Sequence, residues 1–175
     1  MTDALHVLDT PRLVLRRLES ADAGFIFEIT NDPAWLRHIG DRGIRSLDDA
    51  RRYITDGPCA MYERHGFGLY LVVLRESGTP IGLCGLIKRD WLEDVDIGFA
   101  FLPAFRGRGY ALEAAAATLD YGRTTLGLHR VAAIVSPGNA DSLQLLGRLG
   151  MRLERMVLPP HEASPSCLYV TPPPG

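Results

Sequence analysis

The sequence has few cysteines and no long apolar runs. Its three cysteines are an odd number without the spacing of a metal site, so we expect reduced thiols, no bound metal and a cytoplasmic setting. No uncharged apolar stretch reaches the roughly 18 residues of a membrane-spanning helix, and the charged first residues are unlike a secretory signal. These absences disfavour membrane, disulfide-stabilised and metal-dependent proteins.

Neither sign of charge is in excess. The chain has 19 Lys and Arg against 21 Asp and Glu, a net charge of -2, which gives no basic surface for nucleic acid. An apolar content of 46% and a charged content of 23% are typical of a globular domain. Because repeats and long linkers are also absent, we expect residues 1–175 to form a single domain, with a core over about 10–171 and a Pro-rich C-terminal tail.

Two common phosphate-binding motifs are missing. The string G-x-x-x-x-G-K-[ST] does not occur. A dinucleotide fingerprint would need a third glycine after Gly107 and Gly109, and Leu112 stands at that position. Nucleotide hydrolysis and nicotinamide chemistry are therefore disfavoured.

The stretch 94–117 nevertheless favours an anion site. An alternating segment ended by a proline predicts a strand, and an alanine-rich segment predicts a helix. Between them, Gly107 and Gly109 allow a tight turn. The amides of a first helical turn have no partner inside the helix, and Arg106 and Arg108 add positive charge. This arrangement predicts a cradle for a phosphate or pyrophosphate.

Two motifs carry a family resemblance. Arg106, Gly109 and Ala111 form R-x-x-G-x-A, which resembles the acetyl-CoA pyrophosphate loop of the GNAT superfamily of N-acetyltransferases. Residues 129–151 read as an apolar strand, an N-cap asparagine and a helix closed by a glycine. This second stretch resembles the N-x-x-S…L-G-[FM] segment of the RimJ/RimL branch.

The helix and strand signals predict an α+β fold, an α/β sandwich of element order β-α-α-β-β-β-α-β-α-β-β. The first strand is expected near 12–18, and 31–45 is expected to be a loop. Helices should cover both faces of a mixed, mostly antiparallel sheet. The resemblance implies the same topology, with a V-shaped splay between the strands at 94–102 and 130–136 that accommodates the pantetheine arm.

The resemblance implies acetyl-CoA as cosubstrate, with its diphosphate held by the loop amides. The backbone of the strand at 94–102 would pair with the pantetheine arm and polarise the thioester carbonyl. Asn139 would contact the arm, serve as a plain helix N-cap, or do both. The expected contacts are Phe99, Phe101, Arg106, Gly107, Arg108, Gly109, Tyr110, Ala111, Asn139 and Ser142.

Two residues are the catalytic candidates. Asp96 stands where family members often carry Glu or Asp, and we expect it to act as general base through a water; the alternative is a solvent-facing acid. In the RimJ/RimL branch a serine at the position of Ser142 is the suspected acid, while the alternative is a local bond to the backbone. Leu146 occupies the position of a tyrosine that many relatives use as the acid, so a dedicated acid is left open.

The acceptor is expected to be a primary amine, either a protein N-terminus or a small molecule. An α-amino group, with a pKa of about 7.7–8.0, is easier to deprotonate than a lysine with a pKa of about 10.4. Trp35 and His38 in the loop at 31–45, together with Phe67, are expected to border the acceptor, and His38 is an alternative base. The rival function is a non-catalytic CoA-binding module. The sequence leaves monomer and homodimer open.

Overall fold

The structure is a computed structural model that describes residues 4–173. Its strands are β1 (His6–Asp9), β2 (Leu13–Arg17), β3 (Leu69–Leu74), β4 (Pro80–Ile87), β5 (Asp96–Phe101), β6 (Ala132–Val135), β7 (Arg152–Val157) and β8 (Ser166–Val170). Its helices are α1 (Ala23–Thr30), α2 (Pro33–His38), α3 (Leu47–Ile54), α4 (Ala60–His65), α5 (Tyr110–Thr124) and α6 (Ala140–Arg148). The strands form one sheet in the order β1-β2-β3-β4-β5-β6-β8-β7. The predicted fold class is confirmed.

Two elements near the N-terminus differ from the predicted order. The strand β1 was not predicted; it pairs antiparallel with β2 at the edge of the sheet, where no residue of it is fully buried. The segment 31–45 was predicted to be a loop, but it contains α2. Pro33 occupies the first turn, where no amide donor is needed, and the Asp32 carboxylate accepts a hydrogen bond from the Ala34 amide at 3.1 Å. Trp35 and His38 therefore lie on a helix.

The connection between α3 and α4 explains how the chain accommodates Pro58. Ser46 caps α3, because its hydroxyl accepts from the Asp49 amide at 3.0 Å. At Gly57 and Pro58 the chain forms a π-helical turn over Thr55–Cys59 that leads directly into α4. Such a widened turn tolerates a residue without an amide hydrogen.

Helices cover both faces of the sheet, as predicted. On one face α1, α2 and α3 bury an apolar cluster against β3 and β4; it includes Ile26, Ile29, Trp35, Ile54, Leu71 and Leu83. On the other face α5 and α6 bury the larger cluster, which includes Leu15, Val72, Leu86, Ala114, Ala115 and Leu146. The small side chains of α5 let its backbone pack closely on the sheet.

The sheet opens between β5 and β6. β4 and β5 pair along their length, from Ile87 opposite Asp96 to Gly82 opposite Phe101. β5 and β6 run parallel and pair at Asp96 and Ala132 alone within the described chain. Beyond that point the two strands diverge, which confirms the expected V-shaped splay. The remaining β5 backbone presents its edge to the gap.

Within residues 4–173, no helix combines the length and the apolar character needed to cross a membrane. The same part of the chain contains no group of three or more His, Cys, Asp or Glu side chains placed to hold a metal ion.

Candidate active site

A cleft of about 590 Å³ occupies the splay between β5 and β6. It is bordered by the turn after β5, by the start of α6, by α2 and by the segment joining β4 to β5. Most of the site residues predicted from the sequence line it: Trp35, His38, Asp96, Phe99, Phe101, Arg106, Gly107, Gly109, Tyr110, Ala111, Asn139 and Ser142. The fold therefore brings residues from five elements and their connections to one place.

Two predicted residues lie outside the cleft. Phe67 is only 8% exposed; its ring packs into the core beside α5 and stacks on His65 at 5.6 Å. Phe67 therefore lines the core and not the cleft in this structure. Arg108 projects into solvent, with its guanidinium 6.0 Å from the centre of the Phe105 ring.

The glycine loop, residues 106–112, presents its backbone donors to the cleft. Gly107 and Gly109 have φ angles of 75° and 82°, a conformation that side chains disfavour. Within residues 4–173, the amides of residues 107–112 have no hydrogen-bond partner. The first bonded amide of α5 is that of Glu113, which donates to the Gly109 carbonyl at 3.1 Å. Unpaired amides at a helix start, without a Cβ to block them, fit the oxygens of a diphosphate.

A polar network that the sequence did not reveal fixes this loop to the turn between β1 and β2. The Glu113 carboxylate accepts from the Thr10 hydroxyl at 2.5 Å and from the backbone amide and Nε of Arg12 at 3.0 and 2.7 Å. Burial raises the pKa of Glu113, but these hydrogen bonds outweigh it and leave the pKa below its ordinary value. Arg12 also donates to the Arg108 carbonyl at 3.0 Å and lies 4.3 Å over the Tyr110 ring. The loop is thus held from its outer side.

Arg106 does not contribute the free positive charge that the sequence suggests. Its Nε donates to the Phe101 carbonyl at 2.9 Å, and its Nη2 donates to the Asp32 carboxylate at 2.9 Å. Its own amide bonds to Pro103 at 3.3 Å. Arg106 therefore ties the end of β5 to the N-cap of α2, and the unpaired donors of the loop are backbone amides.

Asp96 lies at the base of the splay in a buried ion pair. It is 1% exposed, which excludes the solvent-facing alternative. Arg89 holds both carboxylate oxygens, with Nε–Oδ1 at 2.8 Å and Nη2–Oδ2 at 3.3 Å. Burial raises the pKa of Asp96 above its usual range, while the charges of Arg89 and Lys88 oppose that rise. Sequence reasoning missed Arg89, although the hairpin between β4 and β5 places the segment after Ile87 beside Asp96.

The start of α6 adds a hydroxyl to the cleft. Asn139 caps the helix as predicted, because its side-chain oxygen accepts from the Ser142 amide at 3.3 Å. Ser142 is half-buried and lines the cleft. Leu146, one turn later, is fully buried in the main core and does not reach the cleft. Within α6, Ser142 is therefore better placed than residue 146 to act on a bound molecule.

One group of side chains that line the cleft comes from α2, α3 and two connecting segments. We call this group the arginine wall; it consists of Trp35, His38, Arg42, Tyr53 and Arg89. Trp35 is 5% exposed, and its indole N–H has no hydrogen-bond partner within residues 4–173. Arg42 and Tyr53 had no signal in the sequence, since they are separated in the chain and meet only through the packing of α3.

Comparisons with known proteins agree with this geometry. The acetyltransferase (GNAT) domain family matches residues 12–152. The uncharacterized N-acetyltransferase YnaD of Bacillus subtilis is 31% identical over 86% of this chain and 84% of its own. An acetyltransferase from Agrobacterium tumefaciens has a TM-score of 0.80 at 27% identity, covering 97% of this chain and 96% of its own.

A more distant structure shows the same fold. RimL, a ribosomal L7/L12 alpha-N-protein acetyltransferase solved with coenzyme A, has a TM-score of 0.80 at 15% identity and covers 94% of this chain and 96% of its own. The family match, the YnaD relative, the splayed sheet and the glycine loop all indicate one assignment. The protein belongs to the GNAT family and is an N-acetyltransferase with the fold of the RimL enzyme.

Proposed function

We propose that the protein transfers the acetyl group of acetyl-CoA directly to a primary amine, with both substrates bound together. The observation that carries this proposal is the row of unpaired amides at residues 107–112, which opens on the cleft between β5 and β6. Backbone donors at a helix start suit a diphosphate, and the unpaired edge of β5 suits the amides of a pantetheine arm.

Acetyl-CoA supplies an activated acyl carbon to the reaction. The residues that would hold it are the amides of the glycine loop, the edge of β5 near Phe99, and Asn139. The β5 amides also offer donors for the oxyanion that develops when the amine attacks. No enzyme nucleophile is needed, and burial raises the pKa of the Cys84 thiol to about 12, which makes it a poor one.

Asp96 is proposed to receive the proton of the acceptor amine through one water. Its buried position raises its pKa, which makes it a stronger base than an exposed aspartate. Arg89 contacts both of its oxygens and so orients the carboxylate. In the Asp96–Arg89 pair, the carboxylate is thus both more basic than usual and held in one orientation.

Ser142 is proposed to give a proton to the departing thiolate. Its side chain lines the cleft, and its amide is fixed by the Asn139 cap. Because a thiolate is a good leaving group, Ser142→Ala should lower kcat by less than about tenfold. A larger loss, with the KM for acetyl-CoA unchanged, would assign the serine a larger share of the chemistry.

The direct test is an acceptor panel of protein N-terminal peptides, amino acids, polyamines and simple amines. Free thiol release from acetyl-CoA would be recorded, and the products would be identified by mass spectrometry. Amine-dependent thiol release with a matching acetylated product is expected. Tight acetyl-CoA binding without turnover on any amine would support the rival function of a CoA-binding module.

A further inference from the structure

The arginine wall contains a cation and a hydroxyl that the catalytic proposal does not use. Within residues 4–173, the Arg42 guanidinium has no ion-pair or hydrogen-bond partner, although it borders the cleft. The hydroxyl of Tyr53 borders the same cleft and likewise has no partner in the described chain. Two unpaired donors at one site indicate a ligand that supplies acceptors.

The carboxylates close to Arg42 in sequence are paired with other residues. Asp41 is bound by Arg45 at 2.5 Å, and Asp49 is bound by Arg52 and by the Arg45 amide. These two carboxylates are therefore already occupied, as is Asp48, which pairs with Arg51.

Arg42 and Tyr53 line the same cleft as the proposed base and its partner Arg89. Burial raises the pKa of the Tyr53 phenol, and the positive charges of Arg42 and Arg89 oppose that rise. Arg89 in turn contacts Asp96 at 2.8 Å. The two unpaired donors and the carboxylate that would receive the amine's proton therefore face one space.

Arg42 and Tyr53 also border a second hollow of the structure. A surface depression of about 400 Å³ shares these two residues with the cleft, and Asp49 and Asp56 line the depression as well. The two unpaired donors therefore lie where the cleft and the depression meet.

We propose that Arg42 and Tyr53 bind an anionic group, a carboxylate or a phosphate, carried by the acceptor amine. The acceptor is then a small amine with a negative charge, such as an amino acid or an amino-phosphate, and its nitrogen faces Asp96. A guanidinium fork and a neighbouring hydroxyl match the planar oxygens of a carboxylate and the oxygens of a phosphate. This inference rests on the proposed acetyl transfer.

The charges on the arginine wall disfavour a polyamine. Two carboxylates that line the cleft are committed, Asp96 to Arg89 and Asp32 to Arg106. Asp141 and Glu162 also line the cleft, but they belong to α6 and to the segment between β7 and β8. Asp49 and Asp56 line the surface depression beside Arg42, and Asp49 is bound by Arg52. A preference for cationic amines would assign recognition to Asp56, Asp141 or Glu162 instead.

The test compares matched acceptors that differ in charge. Alanine is paired with alaninamide, and phosphoethanolamine with ethanolamine; spermidine and a short peptide complete the set. For the wild-type protein, kcat/KM should be higher for the member with the anionic group in at least one pair, and the pair that responds identifies carboxylate or phosphate. In Arg42→Gln that preference should fall roughly 10- to 100-fold, while activity on the member without the anionic group stays within about twofold.

Three further variants sharpen the result. Arg42→Lys should restore part of the preference, and Tyr53→Phe should reduce it by roughly 3- to 10-fold. Arg51→Gln is the matched control, since Arg51 is an exposed arginine of α3 that pairs with Asp48 and does not line the cleft. It should leave every acceptor unchanged.

The two proposals fail differently. A preference for the amines without an anionic group, acetylation of the peptide alone, or an anion preference that survives Arg42→Gln would overturn the anion site and leave acetyl transfer standing. No acetylation of any amine, with acetyl-CoA still bound, would overturn the transfer reaction and with it the acceptor assignment.

Discussion

The glycine loop and the arginine wall face the same cleft but are built by different means. The glycine loop offers main-chain amides, and its shape depends on two glycines and on where α5 begins. The arginine wall offers side chains from α2, α3, the loop at 39–46 and the segment after β4. Local sequence can encode the first kind of surface, whereas the second exists only after the helices have packed on the sheet.

This difference fits a separate role for each surface in binding. Backbone donors cannot be changed by most substitutions, which suits a ligand that is always the same. Side chains change with every substitution, which suits the acceptor, the molecule that differs between family members. The following predictions test whether the two surfaces are separable in this way.

The largest effect is expected at Asp96. Asp96→Asn keeps the size of the side chain but removes the base, so kcat at pH 7 should fall about 100- to 1000-fold. Acetyl-CoA affinity, measured by calorimetry, should stay within about threefold, because no glycine-loop amide contacts Asp96. Equal turnover in the variant and the wild type would show that another group accepts the proton.

Gly109→Val should affect the other surface alone. A β-branched residue at a φ of 82° is strained by about 1–2 kcal/mol or more, and its Cβ would approach Arg12 Nη2 to 3.3 Å. The KM for acetyl-CoA should therefore rise roughly 10- to 30-fold.

Gly127→Val provides the matched control for this strain. Gly127 has a φ of 69° in the turn after α5, and an added Cβ would meet nothing within 4 Å. The control should lose similar stability in thermal unfolding and keep its KM for acetyl-CoA. If both variants shift the KM equally, the effect belongs to global stability and the loop assignment is wrong.

The sequence predicted the glycine loop better than the arginine wall for the same physical reason. Positive φ at Gly107 and Gly109 and the high helix propensity after them are local properties, readable within a few residues. The Asn139 cap was equally local. By contrast, Arg42 and Tyr53 belong to different elements, and nothing in their own neighbourhood indicates a shared cleft.

Two segments show where local reasoning fails. Phe67 follows the turn after α4, and whether it faces solvent or core depends on the packing of α5 across the sheet. The segment 31–45 contains α2 and not a continuous loop, because proline is compatible with a helix start when a residue such as Asp32 supplies the cap. Arg89 lies two residues after Ile87, which pairs with Asp96 across the hairpin, and its side chain reaches back to that carboxylate.

Arg89→Gln should move the pH dependence of the reaction. Burial raises the pKa of Asp96 and Arg89 opposes that rise, so removal of Arg89 should raise the pKa further. Because the base must be ionised, kcat/KM falls as the pH drops through this pKa, and the acidic limb should move to higher pH in the variant. The wild type and the variant are to be measured with the same acceptor. Because the amine then titrates identically in both pH profiles, any difference between the profiles comes from a group of the enzyme.

Two outcomes of that experiment contradict the assignment. An acidic limb that moves to lower pH would mean that Arg89 does not stabilise the ionised carboxylate. An unchanged limb with lower kcat would leave Arg89 a positioning role and assign the titration to another group. Loss of acetyl-CoA binding would show that the two surfaces are not separable.

The smallest effect is expected behind the glycine loop, at Glu113. Glu113→Gln replaces a carboxylate that accepts three hydrogen bonds, from Thr10 and twice from Arg12, with an amide that supplies one acceptor oxygen. The free energy of unfolding at pH 7 should fall by about 1 kcal/mol. Because Arg12 also holds the Arg108 carbonyl, the KM for acetyl-CoA should rise about two- to threefold.

The pH dependence of this loss distinguishes the network from a simple packing defect. The pKa of folded Glu113 lies below its ordinary value of 4.5, so its contribution to stability is fully present above that value and is lost as the pH falls through the lowered pKa. The stability difference between Glu113→Gln and the wild type should therefore shrink in denaturant titrations below pH 4.5. Glu28→Gln changes an exposed glutamate of α1 outside this network and, as the control, should leave the free energy of unfolding at pH 7 unchanged. A stability difference that stays constant on acidification would mean that the charge of Glu113 does not hold the glycine loop. The conformation of the loop would then depend on Gly107 and Gly109 alone.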